Sequence, residues 1–163
     1  MIKRCILIVL LCIVSLQSPL YAIEIDIYAT GGWTNLVINS SHLRGGAGSN
    51  LADSFESTVD ATIISIAGTE CPCGAWDVLI RKSASSWASG ATLYVKRTGN
   101  GSGAGSIRGG TLYIAVGESD VLFFSGNGDR TNISIQYKIS GLSISAPQGT
   151  YSAPITFTVV DQS

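Results

Sequence analysis

Hydrophobic and polar residues alternate along most of this chain, and the alternation has a period of two. From position 23, Ile23, Ile25, Ile27 and Ala29 share one side of an extended segment, and Glu24, Asp26 and Tyr28 share the other. Alternating or β-branched runs recur at 34–39, 57–66, 75–82, 91–98, 111–116, 120–124, 132–140 and 151–160. Turn-forming clusters separate them: TGG at 30–32, GGAGSN at 45–50, TGNGSGAGSIRGG at 98–110, SGNGD at 125–129 and SAPQG at 145–149. A helical crossover needs ten or more residues with a 3.6-residue period, and only 51–55 hints at one turn. The pattern therefore predicts an all-β protein, an Ig-like antiparallel β-sandwich. Its core is expected to take Val59, Ala61 and Ile63 against Val78, Ile80, Leu93 and Val95. Ile133, Ile135, Tyr137 and Ile139 extend the same set, with Trp76 buried beside it.

The first 22 residues break this pattern. Lys3 and Arg4 precede an apolar run at 5–16, and Leu20 and Ala22 flank a cleavage point, so 1–22 reads as a removable signal peptide. That run is shorter than the ~20 residues a membrane helix needs, and no later segment comes near it, so no membrane span is expected after signal removal. The remaining chain divides into 23–30, an N-terminal strand or donor extension, and 31–163, a β-sandwich domain. Removing residues 1–22 of 163 leaves 141, with 8 basic and 11 acidic side chains, a net charge of −3. Such a balance argues against a nucleic-acid partner. The length supports one domain with its own core.

Candidate chemistry changes the picture little. The single histidine, His42, lies in the polar stretch NSSHLRGG with no metal-ligand spacing around it, and it reads as a surface residue. No GxSxG elbow exists to pair with it. Asp53, Glu118, Asp120 and Asp129 fall in predicted loops and read as solvated charges rather than a catalytic pair. The glycine run at 98–110 lacks the Lys-Ser or Lys-Thr ending of a phosphate loop and reads as a flexible connection. No enzyme, no catalytic residue, no cofactor and no metal site is therefore expected. Cys71 and Cys73, in ECPCG, are the two cysteines left after the signal. In an exported chain an intrachain disulfide across Pro72 is favoured; an intermolecular bond or two free thiols are the rivals, and a redox role is the lesser reading.

The last segment, PQGTYSAPITFTVVDQS, resembles the C-terminal strand of chaperone–usher pilus subunits, of the archaic type related to spore coat protein U. Gly149 and Tyr151 match that family's turn, and Ile155, Phe157 and Val159 match the inward face of its strand. The order of parts is similar too: signal peptide, short alternating segment, glycine break, all-β body. The resemblance implies an Ig-like fold short of one strand. A periplasmic chaperone fills the gap first, and the N-terminal extension of the next subunit then replaces it at an outer-membrane usher. It further implies a donor strand of Ile23, Ile25, Ile27 and Ala29, and an acceptor groove of Tyr151, Ile155, Phe157 and Val159. Partners would be neighbouring copies or other fibre subunits, reached by way of the periplasm at the cell surface. Two other readings stand beside this one. Residues 23–30 fit equally as the first strand of a complete sandwich, and the chain fits a stand-alone secreted binding module with Trp33, Trp87 and Tyr94 as sugar-stacking platforms.

Overall fold

The alternating segments become strands with one buried face in the computed structural model, which describes residues 25–46, 48–83 and 86–162. One antiparallel sheet contains β1 (Asp26–Gly31), β2 (Ser54–Glu56), β3 (Thr62–Ala67), β5 (Thr92–Arg97), β7 (Ile114–Ala115) and β9 (Arg130–Ser140). The other contains β4 (Ala75–Lys82), β6 (Ile107–Gly109), β8 (Val121–Asn127) and β10 (Ile155–Asp161). The strand orders are β1-β3-β9-β5-β7, with β2 also pairing β9, and β10-β4-β8-β6. The fold is the Ig-like antiparallel β-sandwich that the period-two pattern predicts. Residues 1–22 and Ile23 lie outside the described residues.

Packing follows from the alternation. On β4, Trp76, Val78 and Ile80 are fully buried while Asp77 and Leu79 face outward. They meet Ile64, Ile66, Leu93, Val95, Ile133 and Ile135 from the other sheet, with Phe123 and Phe124 closing the layer. Trp76 stacks edge-on against Phe124, with ring centroids 6.0 Å apart, and its indole N–H donates to the carbonyl of Gly128 at 2.9 Å. A buried tryptophan thus has both its apolar body and its polar handle satisfied.

Three expectations are corrected. Residues 34–39 form no strand; they run to a 3-10 turn at Ser40–His42, capped by the Asn39 side chain, which accepts from the Ser41 N–H at 3.0 Å. The run at 57–66 breaks at a turn before β3, so Thr62, Ile64 and Ile66 are the buried positions instead of Ile63; Ala61 still packs on the core, partly buried, and Val59 is 59% exposed. Adjacent isoleucines at 63 and 64 make both phases apolar. Pairing decides between them, because Thr62 opposite Ile135 places its hydroxyl 2.8 Å from the Tyr137 hydroxyl. The run at 151–160 becomes a strand only at Ile155, since Pro154 has no N–H to give a ladder.

The glycine run at 98–110 links strands that do pair antiparallel, β5 and β7, but on the way it crosses from the first sheet to the second, where β6 pairs with β8. Ser102 exchanges backbone hydrogen bonds with Thr131, at 2.7 and 2.8 Å. A β-carbon on Gly103 or Gly105 would overlap the carbonyl oxygens of Asp129 and Asn127. Glycine is needed there because backbone runs directly against backbone.

Candidate functional site

A complete immunoglobulin-type sandwich has strands A-B-E-D in one sheet and C, F and G in the other. By sequence order and pairing, β1-β3-β9-β5 is A-B-E-D, and β4 and β10 take the C and F positions. Among the described residues no strand takes the G position. β10 pairs β4 through seven residues, from Ile155 opposite Lys82 to Asp161 opposite Trp76, and its other side ends the sheet. This open edge is the outstanding feature of the fold.

The edge is apolar on its inner side. Ile155, Phe157 and Val159 point inward from β10 and stay only half-buried, although they pack on the central core. The Phe157 ring lies 6.4 Å from that of Phe123. Across the sandwich β1 ends the other sheet on the same side, and Ile25 and Ile27 pack on the core there, also half-buried. The two sheets therefore close around a seam lined by Ile25, Ile27, Ile155, Phe157 and Val159. In a sandwich with every strand present such residues would be covered.

The donor and acceptor residues named from the sequence divide as follows. Ile27 and Ala29 lie in β1, and Ile25 directly precedes it. β1 pairs antiparallel with β3 of the same chain, from Asp26 opposite Ala67 to Gly31 opposite Thr62. Ile27 turns inward, whereas Ala29 is exposed. On the outward face the Tyr28 hydroxyl donates to Asp26 Oδ2 at 3.1 Å, and that bond with the Asp26 charge raises the tyrosine pKa. Ile155, Phe157 and Val159 share the seam. Tyr151 does not join them: it precedes the strand, is 37% exposed and donates its hydroxyl to the Pro147 carbonyl at 2.5 Å.

The aromatic residues of the binding-module reading do not form an open platform. Trp33 and Trp87 are half-buried against the core, and the Trp87 N–H donates to the Ala91 carbonyl at 2.8 Å. Lys82 sits over Trp87 at 5.5 Å, and Lys138 over Tyr94 at 5.0 Å. The loop carboxylates are dispersed. Asp53 pairs with Arg44, and Asp120 lies 3.7 Å from Arg81. Asp129 accepts from both the backbone and hydroxyl of Thr69, at 2.9 and 2.6 Å, and these bonds lower its pKa. Such an aspartate is held ionised, the opposite of what a general acid needs. His42 packs on Phe55 with ring centroids 5.4 Å apart and contacts the Asn39 side chain at 3.0 Å. Among the described residues no group of three metal-ligating side chains converges. Among the described residues no helix is long and apolar enough to cross a membrane.

Cys71 and Cys73 are joined, with Cα atoms 5.1 Å apart. Their loop is clamped to the β8–β9 turn. Asn127 donates its side-chain amide to the Pro72 carbonyl, and the Gly128 N–H donates to the Gly74 carbonyl at 2.9 Å. Compared with protein-family models, curated proteins and solved structures, the chain finds no match.

Proposed function

We propose that the protein is a secreted structural subunit of a pilus or surface fibre, assembled by donor-strand complementation. The open edge of β10, beside which a strand in the G position would lie, carries this reading, because an extended segment laid there would gain main-chain hydrogen bonds and cover the seam in one step. The segment 23–30 has the matching character: alternating, apolar on one side and six residues or more in length. Three buried isoleucines contribute about 5–9 kcal/mol before ordering costs, at ~1.5–3 kcal/mol each. In a single chain β1 lies on β3, next to the seam; in a fibre it moves from its own β3 to the β10 edge of the next subunit. Head-to-tail insertion of this kind does not close on itself and so yields filaments. The resemblance to chaperone–usher subunits implies a periplasmic chaperone and an outer-membrane usher as the partners that protect this exposed edge before assembly.

Deleting 23–30 tests the reading. The shortened chain is expected to remain a folded body that needs a chaperone and cannot polymerise. Ile25→Asp is expected to weaken assembly without unfolding the body. Size-exclusion and thermal melts of the intact and shortened chains measure both outcomes. An unfolded deletion, together with an intact chain that never oligomerises, would assign β1 to its own domain alone.

A further inference from the structure

The Cys71–Cys73 bond lies between two grooves with opposite electrostatics. Cys71 lines an open groove of about 520 Å³ with Thr69, Glu70, Ser102 and Asp129. Cys73 lines a second groove, of about 260 Å³, with Ser106, Arg108 and Asn127. Cys73 and Pro72 are exposed and Cys71 is half-buried, so the bond is open to solvent. The loop does not depend on the bond alone for its shape. The Gly74 N–H donates to the Cys71 carbonyl at 3.0 Å, and the clamp to Asn127 and Gly128 holds it from outside. A disulfide between residues two apart also restricts the unfolded chain very little, because loop-closure stabilisation grows with the number of residues enclosed. Its contribution to stability is therefore small, and another role is left for it.

We infer that Cys71–Cys73 is a thiol–disulfide exchange site, attacked at Cys71 Sγ by the thiolate of a basic, cysteine-containing peptide. The acidic groove gives the direction of approach. Glu70 and the ionised Asp129 attract a peptide with lysine or arginine beside its cysteine. Arg108 gives the direction of departure. A guanidinium in the Cys73 groove favours the thiolate form of that sulfur, and the leaving thiol of lower pKa leaves faster. Attack forms an S–S bond between the peptide and Cys71 and breaks the Cys71–Cys73 bond, whose electron pair goes to Cys73. A second molecule of the peptide then attacks the peptide sulfur of the mixed disulfide and expels Cys71 as a thiolate. The two peptide molecules leave joined by a disulfide, and both electrons and two protons remain as the Cys71 and Cys73 thiols.

The test uses the full exported chain in its oxidised form, with the peptides Lys-Cys-Lys and Glu-Cys-Glu as attacking thiols. Reactions are stopped with acid, alkylated and mapped by mass spectrometry. The peptide adduct is expected on Cys71 and the alkyl group on Cys73. At equal thiolate concentration Lys-Cys-Lys is expected to react several-fold faster, with the difference closing at high salt as screening shortens to about 3 Å near 1 M. Arg108→Ala is expected to slow the reaction by about threefold and Arg108→Lys to restore it, since only the thiolate-stabilising charge matters. Circular dichroism checks that both variants keep the β-sandwich. A bond that survives millimolar thiol, an adduct on Cys73, or equal rates for the two peptides overturns the inference.

Discussion

At the residue scale the glycines of the crossing make the sharpest statement. Gly99, Gly101, Gly103 and Gly105 recur every second position, and this period is the same one that sets the strands. Turn composition alone reads the stretch as a flexible connection. The alternation carries more information, because it marks one side of an extended segment on which a β-carbon at Gly101, Gly103 or Gly105 would overlap a backbone oxygen. Gly105→Ala is accordingly expected to destabilise the fold by about 1–3 kcal/mol, since the new methyl meets a carbonyl oxygen that β8 and β9 hold in place. Gly149→Ala, at a position with no atom near the added methyl, is expected to change stability by less than about 0.5 kcal/mol. Urea denaturation of the two variants measures the contrast. Equal stability would mean that the crossing moves aside freely. The disulfide shows the reverse balance at this scale, since its pairing is legible from spacing, whereas the grooves that flank it come from loops far apart in sequence.

The element scale explains why that crossing stays in place. Arg97 occupies an inward position on β5, where alternation leads one to expect an apolar side chain, and Arg130 begins β9; both are more than nine-tenths buried. Arg97 donates to the Gly109 carbonyl at 2.8 and 3.1 Å and to the Asn100 side chain. Arg130 donates to the carbonyls of Asn100, at 2.8 Å, and Gly105. The two guanidiniums thus staple both ends of the glycine segment onto the end of the sandwich. Burial, and secondarily the Arg130 charge, lower the Arg97 pKa, so the staple carries an electrostatic cost that its hydrogen bonds offset. Arg97→Met is expected to lose about 2 kcal/mol and to speed proteolytic nicking within 99–106. Arg97→Lys does not recover the loss, because one ammonium cannot reproduce the guanidinium fork. Denaturant melts and limited proteolysis of both variants check this. Elements with a single apolar phase, such as β4 with its bounds at Ala75 and Lys82, are legible from the sequence. β3 is not, because its adjacent isoleucines leave the phase to tertiary pairing with β9. The arginine staple is illegible for a related reason. Nothing local distinguishes a buried Arg97 from the exposed Arg108, and only the crossing that covers it does so.

The whole molecule turns on the side where the sheets end. Sequence alternation alone shows that β1 and β10 each have one apolar face, and the resemblance to pilus subunits supplies the idea of a missing neighbour. Only the sheet order shows that both strands are terminal, and the contact between β1 and β10 places them on the same side. An exposed edge of this kind, free of proline and lysine along Ile155–Asp161, lacks two of the usual defences against pairing with another chain. The apolar residues behind it favour a partner that alternates as β1 does, since a one-residue slip would turn the partner's isoleucines to solvent. The location of β1 in an assembly can be read directly. A photo-reactive residue in place of Tyr28, which points outward and is 56% exposed, leaves the inward isoleucines untouched. On the donor-strand proposal, crosslinks are expected between position 28 of one chain and β10 or its flanks in another, and their yield should rise with protein concentration. Crosslinks confined to the β3 side of the same chain, at every concentration, would place β1 permanently in the A position.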